Sequence, residues 1–134
     1  IQLLKQLNIT GNYTLITGEE QTQSRKSFND TAYNYLLRRP KNNLNINIGY
    51  QPCRDLYLSI SGKSVSSRYD AGGYMAADVL LKSYFLLNVY AEYNRRNNVK
   101  FFADLQNITN KKFFDIRGYN SIPFLINGGI TFCL

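Results

Sequence analysis

Histidine and tryptophan are absent from the 134 residues, and proline and cysteine number only 3 and 2. Without His, the chain lacks the commonest general base near neutral pH and the commonest metal ligand. A Ser-His-Asp triad, a Cys-His pair and a His-ligated zinc site are thereby excluded. Two Cys can build neither a disulfide framework nor a four-Cys metal site. Acidic side chains are also few, 9 Asp+Glu against 16 Lys+Arg, for a net charge of +7. No run of about 20 apolar residues exists, so no transmembrane helix is expected. No signal-peptide pattern is legible either, and the chain opens on Ile1 rather than Met. The expectation is mature protein or a piece of something larger.

Helical periodicity is nearly absent, and alternation takes its place. Leu7, Ile9, Tyr13 and Leu15 alternate with Asn8, Thr10, Asn12 and Thr14, with Gly11 in phase. A second run sets Leu44, Ile46, Ile48 and Tyr50 against Asn43, Asn45, Asn47 and Gln51, and a third sets Leu56, Leu58 and Ile60 against Tyr57, Ser59, Ser61 and Lys63. A fourth places Phe85, Leu87, Val89, Ala91 and Tyr93 on one face. A fifth does so with Val99, Phe101, Ala103 and Leu105, and the last with Phe124, Ile126, Gly128, Ile130 and Phe132. Period 2 throughout predicts an all-β chain, an antiparallel meander of about six strands.

The connections alternate as well. Tight turns are expected near Pro52-Cys53-Arg54-Asp55 and Asn94-Arg95-Arg96-Asn97-Asn98. Long polar connections run roughly from Gly18 to Lys41, Val65 to Lys82 and Asn107 to Ile122. Short turns at one end and long loops at the other match an outer-membrane barrel, whose periplasmic turns are short and extracellular loops long. A lipocalin-like soluble barrel remains the alternative, with the apolar face inward instead of toward lipid. The opposite face favours the membrane reading, because Asn, Thr, Ser, Gln and Gly fill it and charge is scarce, as in a lumen. Tyr13, Tyr50, Tyr93, Phe124 and Phe132 near strand ends fit interfacial girdles. Six strands cannot close such a barrel, since single-chain examples start at about eight. The 134 residues are therefore expected to be part of a longer chain.

Four motifs occur in order. Leu37-Arg38-Arg39-Pro40-Lys41 precedes the second strand and Ser67-Arg68-Tyr69-Asp70 follows the third. Asn107-Ile108-Thr109-Asn110-Lys111-Lys112-Phe113-Phe114-Asp115 continues the fifth, and Gly118-Tyr119-Asn120 comes before the last. This set resembles the carboxy-terminal end of TonB-dependent outer-membrane receptors, above all those for vitamin B12 and catecholate siderophores. The family's Asn-Leu-Phe-Asp-Lys stands here as Asn107-Ile108-Thr109-Asn110-Lys111, and Leu134 stands where such barrels commonly end in Phe.

The resemblance implies that residues 1–134 are the last strands and loops of a barrel of about 22 strands, without the plug domain. It implies a receptor of a Gram-negative outer membrane that takes up a scarce nutrient without covalent chemistry or a cofactor. A corrinoid is the first expectation for that nutrient, with ferric siderophore or haem behind it. Implied partners are the TonB complex, reached through the plug, outer-membrane lipid and lipopolysaccharide. Nucleic acid is not among them, since no nucleic-acid motif is present.

Within the long loops, Tyr69, Asp70, Tyr74, Arg117 and Tyr119 are the candidate ligand contacts, because loop aromatics stack on flat ligands. Asp70 also reads as a residue that shapes the barrel rim. Gly72, Gly73 and Gly118 are expected at turns with positive φ. Arg25, Lys26, Arg38, Arg39, Lys111, Lys112 and Arg117 fall on the long-loop side. They read either as solvated loop charge or as contacts for lipopolysaccharide phosphates or an anionic ligand. Glu19-Glu20 could supply an acid-base pair, but a polar loop is its simpler setting. The Asn-x-Thr sequons at Asn8, Asn12, Asn29 and Asn107 read as chance in an Asn-rich chain. Cys53 and Cys133 are expected three or four strands apart, roughly 14–19 Å, beyond the about 7 Å a disulfide spans. Both are expected as free thiols.

Overall fold

The computed structural model describes residues 2–4, 6–95 and 98–132. Its strands are β1 (Gln2–Leu4), β2 (Leu7–Leu15), β3 (Glu20–Gln23), β4 (Asp30–Tyr33), β5 (Asn42–Cys53), β6 (Leu56–Val65), β7 (Arg68–Asp70), β8 (Val79–Leu81), β9 (Tyr84–Arg95), β10 (Val99–Gln106) and β11 (Leu125–Phe132). The six alternating segments form one antiparallel sheet in the order β2-β5-β6-β9-β10-β11, extended at one edge by β1. The predicted all-β meander is thus present, with one more edge strand than the alternation revealed.

The register agrees with the alternation. Ile9, Ile48, Ile60, Val89, Leu105 and Ile126 stand opposite one another in successive strand pairs, one unbroken aliphatic row across the sheet. One residue along, Thr10, Asn47, Ser61 and Asn88 form the matching polar row. A slip of one residue would turn every apolar side chain to the polar side, so the pattern itself excludes odd shifts of register. Large residues fill gaps beside glycines on the polar face. A Cβ on Gly49 would lie 2.6 Å from the Tyr57 hydroxyl, and one on Gly129 would lie 2.6 Å from Cε1 of Phe102.

Nothing in the described chain covers the apolar face. Ile48, Ile60 and Ile126 remain 39%, 49% and 61% exposed although they lie within the sheet. The accessible surface is 9914 Å², against about 7,200 Å² for a compact monomer of this mass. The buried hydrophobic residues are Val65, Leu81 and Tyr84, all where the long loops meet the sheet. Exposed Tyr13, Phe85 and Phe124 lie toward the long-loop end of this face and Tyr50, Tyr93 and Phe132 toward the other. Phe85 and Tyr93 are eight residues apart in β9, about 27 Å along a strand. Tilted by about 35–45°, that span rises roughly 19–22 Å, somewhat short of the about 25 Å apolar band of a membrane barrel.

The β5–β6 turn is Arg54-Asp55 between paired Cys53 and Leu56, and the Asn94 amide of β9 donates to the Asp55 carbonyl at 2.7 Å. Cys53 is exposed and free. Arg96 and Asn97 of the other tight turn, Ile1, Cys133 and Leu134 lie outside the described residues. The long connections are more ordered than their polar sequences suggest. Segment 16–41 carries the β3–β4 hairpin and segment 66–83 carries β7–β8, while segment 107–124 has no strand. Four-residue polar strands leave no alternation to read. One glycine departs from expectation: Gly73 (φ 116) and Gly118 (φ 85) adopt positive φ, but Gly72 does not. Gly72 is needed for space instead, because a Cβ there would run into the Ala77 carbonyl.

Candidate functional site

The three long segments converge at one end of the sheet, and buried charged groups join them. Asp70, at the end of β7, is 1% exposed. Its Oδ1 accepts from Arg38 Nε at 2.6 Å and from the Ala71 amide at 2.8 Å, and its Oδ2 accepts from the Arg117 amide at 2.7 Å. One carboxylate thus holds residues of all three segments. The Arg38 amide also donates to the Tyr69 carbonyl at 2.8 Å, and the Arg117 guanidinium donates to the Gly72 carbonyl.

Two further junctions flank it. Arg68, its side chain 3% exposed, donates from Nη2 to the Phe114 carbonyl at 2.9 Å and to Asp115 at 2.6 Å. Asp115 also accepts from the Tyr84 hydroxyl at 2.6 Å. Asp78 accepts from Arg25 Nη1 at 2.7 Å and from the Tyr35 hydroxyl at 2.8 Å. Arg25 pairs in turn with Glu20 at 2.6 Å and lies 4.5 Å from the centroid of the Tyr33 ring. Glu20 is therefore occupied by an ion pair, away from acid-base use. Burial, then the bond to Asp78, pushes the Tyr35 phenol above its ordinary value.

The electrostatics of Asp70 lead to an acid-stability prediction. Burial alone would raise its carboxyl, but the Arg117 amide, the Arg38 guanidinium and the Ala71 amide outweigh burial and hold it below the ordinary value. Such a group stabilises fully above its unfolded-state pKa of about 3.9, and that stabilisation is lost as pH falls through the lower folded-state value. Loop protection against protease is expected to stay constant from neutral pH down to about pH 5 and to fall only in stronger acid. Asp70→Asn is expected to remove that acid step. A step unchanged in the variant would assign it to another group.

The sequence-derived candidates occupy different settings. Tyr69 is half-buried and stacks on Tyr35 with ring centroids 4.0 Å apart. Arg117 and Asp70 come together as described. Tyr74 is 88% exposed and meets Phe28 at the tips of two neighbouring hairpins, with centroids 6.2 Å apart. Tyr119 is 71% exposed. Phe28, Tyr35, Arg68, Asp78 and Asn107 belong to the same assembly and are not among the candidate ligand contacts, and Arg25, read as loop charge or an anion contact, is paired with Asp78 and Glu20 instead. Their partners lie up to 53 residues away in sequence (Arg25 to Asp78), where no local pattern reaches. The Arg-Tyr-Asp and Arg-Arg-Pro motifs were the available signal, since Asp70 of the first is the acid that Arg38 of the second pairs with.

Asn107 closes the third segment at its base. It is 4% exposed with φ 49. Its Nδ2 donates to the carbonyls of Lys111 and Ile122 at 3.0 Å each, and its Oδ1 accepts from the Lys111 amide at 2.9 Å. Its own amide donates to Asn88 Oδ1 at 2.8 Å. A sequon buried in this way offers no room for a glycan.

The third segment folds over the polar face of the sheet, the second reaches it where Arg68 lies 5.5 Å from the centroid of the Tyr84 ring, and no described residue covers the apolar face. Phe113 packs on Tyr84 with centroids 4.2 Å apart. A cavity of ≈ 260 Å³ lies between Phe113, Tyr119 and Ile122 of the third segment and Leu86, Asn88 and Gln106 of the polar face. A cleft of ≈ 600 Å³ separates the first two segments beside Tyr35, Arg39 and Tyr69. Another of ≈ 480 Å³ is flanked by Lys82, Lys111, Lys112 and Arg117, with Val79, Leu81 and Phe113 along it. No carboxylate lines this last cleft, which makes it electropositive. Among the described residues, no group of three or more His, Cys, Asp or Glu is placed to hold a metal ion. No helix there is long and apolar enough to cross a membrane, which says nothing of a β-barrel.

No protein-family model matches the chain, and no curated protein matches it in sequence. Solved structures do match its fold. A mutant of the ferric enterobactin receptor of Pseudomonas aeruginosa, in complex with enterobactin, is 17% identical with a TM-score of 0.71, over 98% of this chain and 21% of that one. The closed form of the ferric-catecholate import receptor Fiu of E. coli is 13% identical with a TM-score of 0.70, over 97% and 18%. The siderophore receptor PiuA of Acinetobacter baumannii is 20% identical with a TM-score of 0.70, over 94% and 18%. The chain spans about a fifth of these receptors, and at such identities the likeness is one of fold.

Proposed function

We propose that this chain forms strands and extracellular loops of a TonB-dependent receptor in a Gram-negative outer membrane, with the apolar face toward lipid and the polar face toward the lumen. One observation carries the reading: the third loop segment packs on the polar face while an aliphatic row runs bare across six strands. A soluble lipocalin-like barrel requires the reverse, with the apolar face enclosed. The fold likeness to siderophore receptors over nearly the whole chain adds to this support. In this reading the wall and loops carry no covalent chemistry. The partners are membrane lipid and lipopolysaccharide outside the barrel, and a plug domain linked to the TonB complex within it.

For the nutrient, the likeness to catecholate and enterobactin receptors moves a ferric siderophore ahead of a corrinoid or haem. An electropositive cleft beside exposed aromatic rings suits a flat, anionic ligand. Arg117 lines that cleft, and Tyr74 and Tyr119, exposed on the neighbouring loops, are the aromatic contacts of this proposal, whereas Tyr69 and Asp70 hold the loops that present them.

The intact receptor, purified in detergent, is expected to bind a ferric catecholate siderophore in preference to cyanocobalamin or haem. Tyr74→Ala combined with Tyr119→Ala is expected to weaken binding about tenfold, at about 0.5–1.5 kcal/mol per lost aromatic contact. Preference for cyanocobalamin would reverse the assignment of ligand. Unchanged affinity in the double variant would remove these tyrosines from the site.

A further inference from the structure

We propose that segment 66–83 is a keystone that locks the three long segments into one preassembled body, with Asp70 as the positioning residue at its centre. The ties have a particular distribution. Segment 66–83 supplies a charged group with a side chain no more than 3% exposed to each of three junctions: Asp70, Arg68 and Asp78. Segment 16–41 is tied twice, through Arg38 to Asp70 and through Arg25 and Tyr35 to Asp78. Segment 107–124 is also tied twice, through the Arg117 amide to Asp70 and through Asp115 and the Phe114 carbonyl to Arg68. Among the described residues, the bonds that join the two outer segments run through the two oxygens of one carboxylate.

Charge-assisted bonds are stronger than neutral ones, and losing the more exposed partner leaves the buried charge of segment 66–83 uncompensated. Freeing one outer segment by itself therefore means breaking two such junctions. With all of them intact the segments are held as one body, and their surface is set before any ligand arrives. If they form the ligand-binding surface proposed above, Tyr74 from one segment and Arg117 and Tyr119 from another keep fixed spacing. Preorganisation of this kind reduces the ordering cost of binding. The lock itself stands on the bonds alone and does not depend on the receptor reading.

Hydrogen exchange on the intact protein in detergent, without ligand, tests the lock. Asp70→Asn, close in shape, is expected to speed exchange about tenfold, the equivalent of roughly one net hydrogen bond, in segments 16–41 and 107–124 together. Asp78→Asn is expected to loosen only 16–41, and Arg68→Met only 107–124. Asp70→Glu keeps both acceptor oxygens and is expected to restore most of the protection. Amides of β5, β6 and β9 are expected to stay protected in every variant. Should Asp70→Asn fail to assemble, Arg38→Met is expected to loosen 16–41 while 107–124 stays protected. The keystone is refuted if Asp70→Asn loosens 66–83 alone, if all variants loosen the same residues, or if Arg38→Met loosens nothing. None of these readouts involves a ligand, so an error in the receptor reading would leave the result intact.

Discussion

Ile60→Arg is expected to lower the stability of the intact protein in lipid by about 2–4 kcal/mol, the range for an Arg at the lipid-facing midplane of a membrane barrel. Ile60 stands in the middle of the aliphatic row, between Ile48 and Val89, and is 49% exposed. A charge there meets hydrocarbon if the face is turned to lipid. Ser61→Arg, one residue along on the polar face, is expected to change stability by less than about 1 kcal/mol, as is usual for a solvated position. Denaturant unfolding of both variants in lipid vesicles measures the contrast. Equal effects at the two positions, or a tolerated Ile60→Arg, would exclude a lipid-facing sheet. Dependence on detergent separates the membrane reading from the soluble barrel. In the soluble barrel Ile60 would be core, and the protein would stay in water without detergent.

Asn107→Ala is expected to cost about 3 kcal/mol and to open segment 107–124 to protease. Two sources add up. The side chain satisfies the Lys111 and Ile122 carbonyls and the Lys111 amide in a nearly closed site, and stranding buried polar groups costs about 1–3 kcal/mol each. The backbone sits at φ 49, a conformation that costs Ala roughly 1–2 kcal/mol and Gly little. Asn107→Gly is therefore expected to recover about 1 kcal/mol relative to Asn107→Ala, without restoring the bonds. Urea unfolding midpoints of the two variants, with limited proteolysis to locate the change, give both terms. If Gly and Ala behave alike, the backbone contribution is absent. If neither variant differs from the parent, Asn107 does not close the segment.

The sheet was legible because its signal is local. Strand β2 was read from alternation at Leu7–Leu15 and β10 at Val99–Gln106, and both occupy those residues. Alternation shows the face on which each side chain lies, and loop lengths indicate the end at which the connections gather. β1 was not legible, since three residues carry no period. Hairpin β3–β4 was hidden because Glu20–Gln23 is polar on both faces. Among the glycines, Gly73 and Gly118 hold the expected positive φ. Gly72 differs because its constraint comes from the approach of Ala77, which no neighbouring residue announces.

The candidate site was legible only as a set of motifs. Arg38, Asp70 and Arg117 stood out one by one, as a basic residue, a ligand candidate and a loop charge. Nothing in their order says that one carboxylate joins them across separations of 32 and 47 residues.

By itself, the sequence determined the all-β class, six of the seven strands of the sheet and its two faces, because a period of two assigns every side chain to a face. Tertiary structure alone decided the pairing register, that the last segment packs on the polar face, that Asp70, Arg68 and Asp78 are buried junctions, and that Asn107 closes the last segment. The physical reason is range. Pleat follows from neighbours along the chain, while a pairing or a buried charge is stable only where distant segments bring its partners.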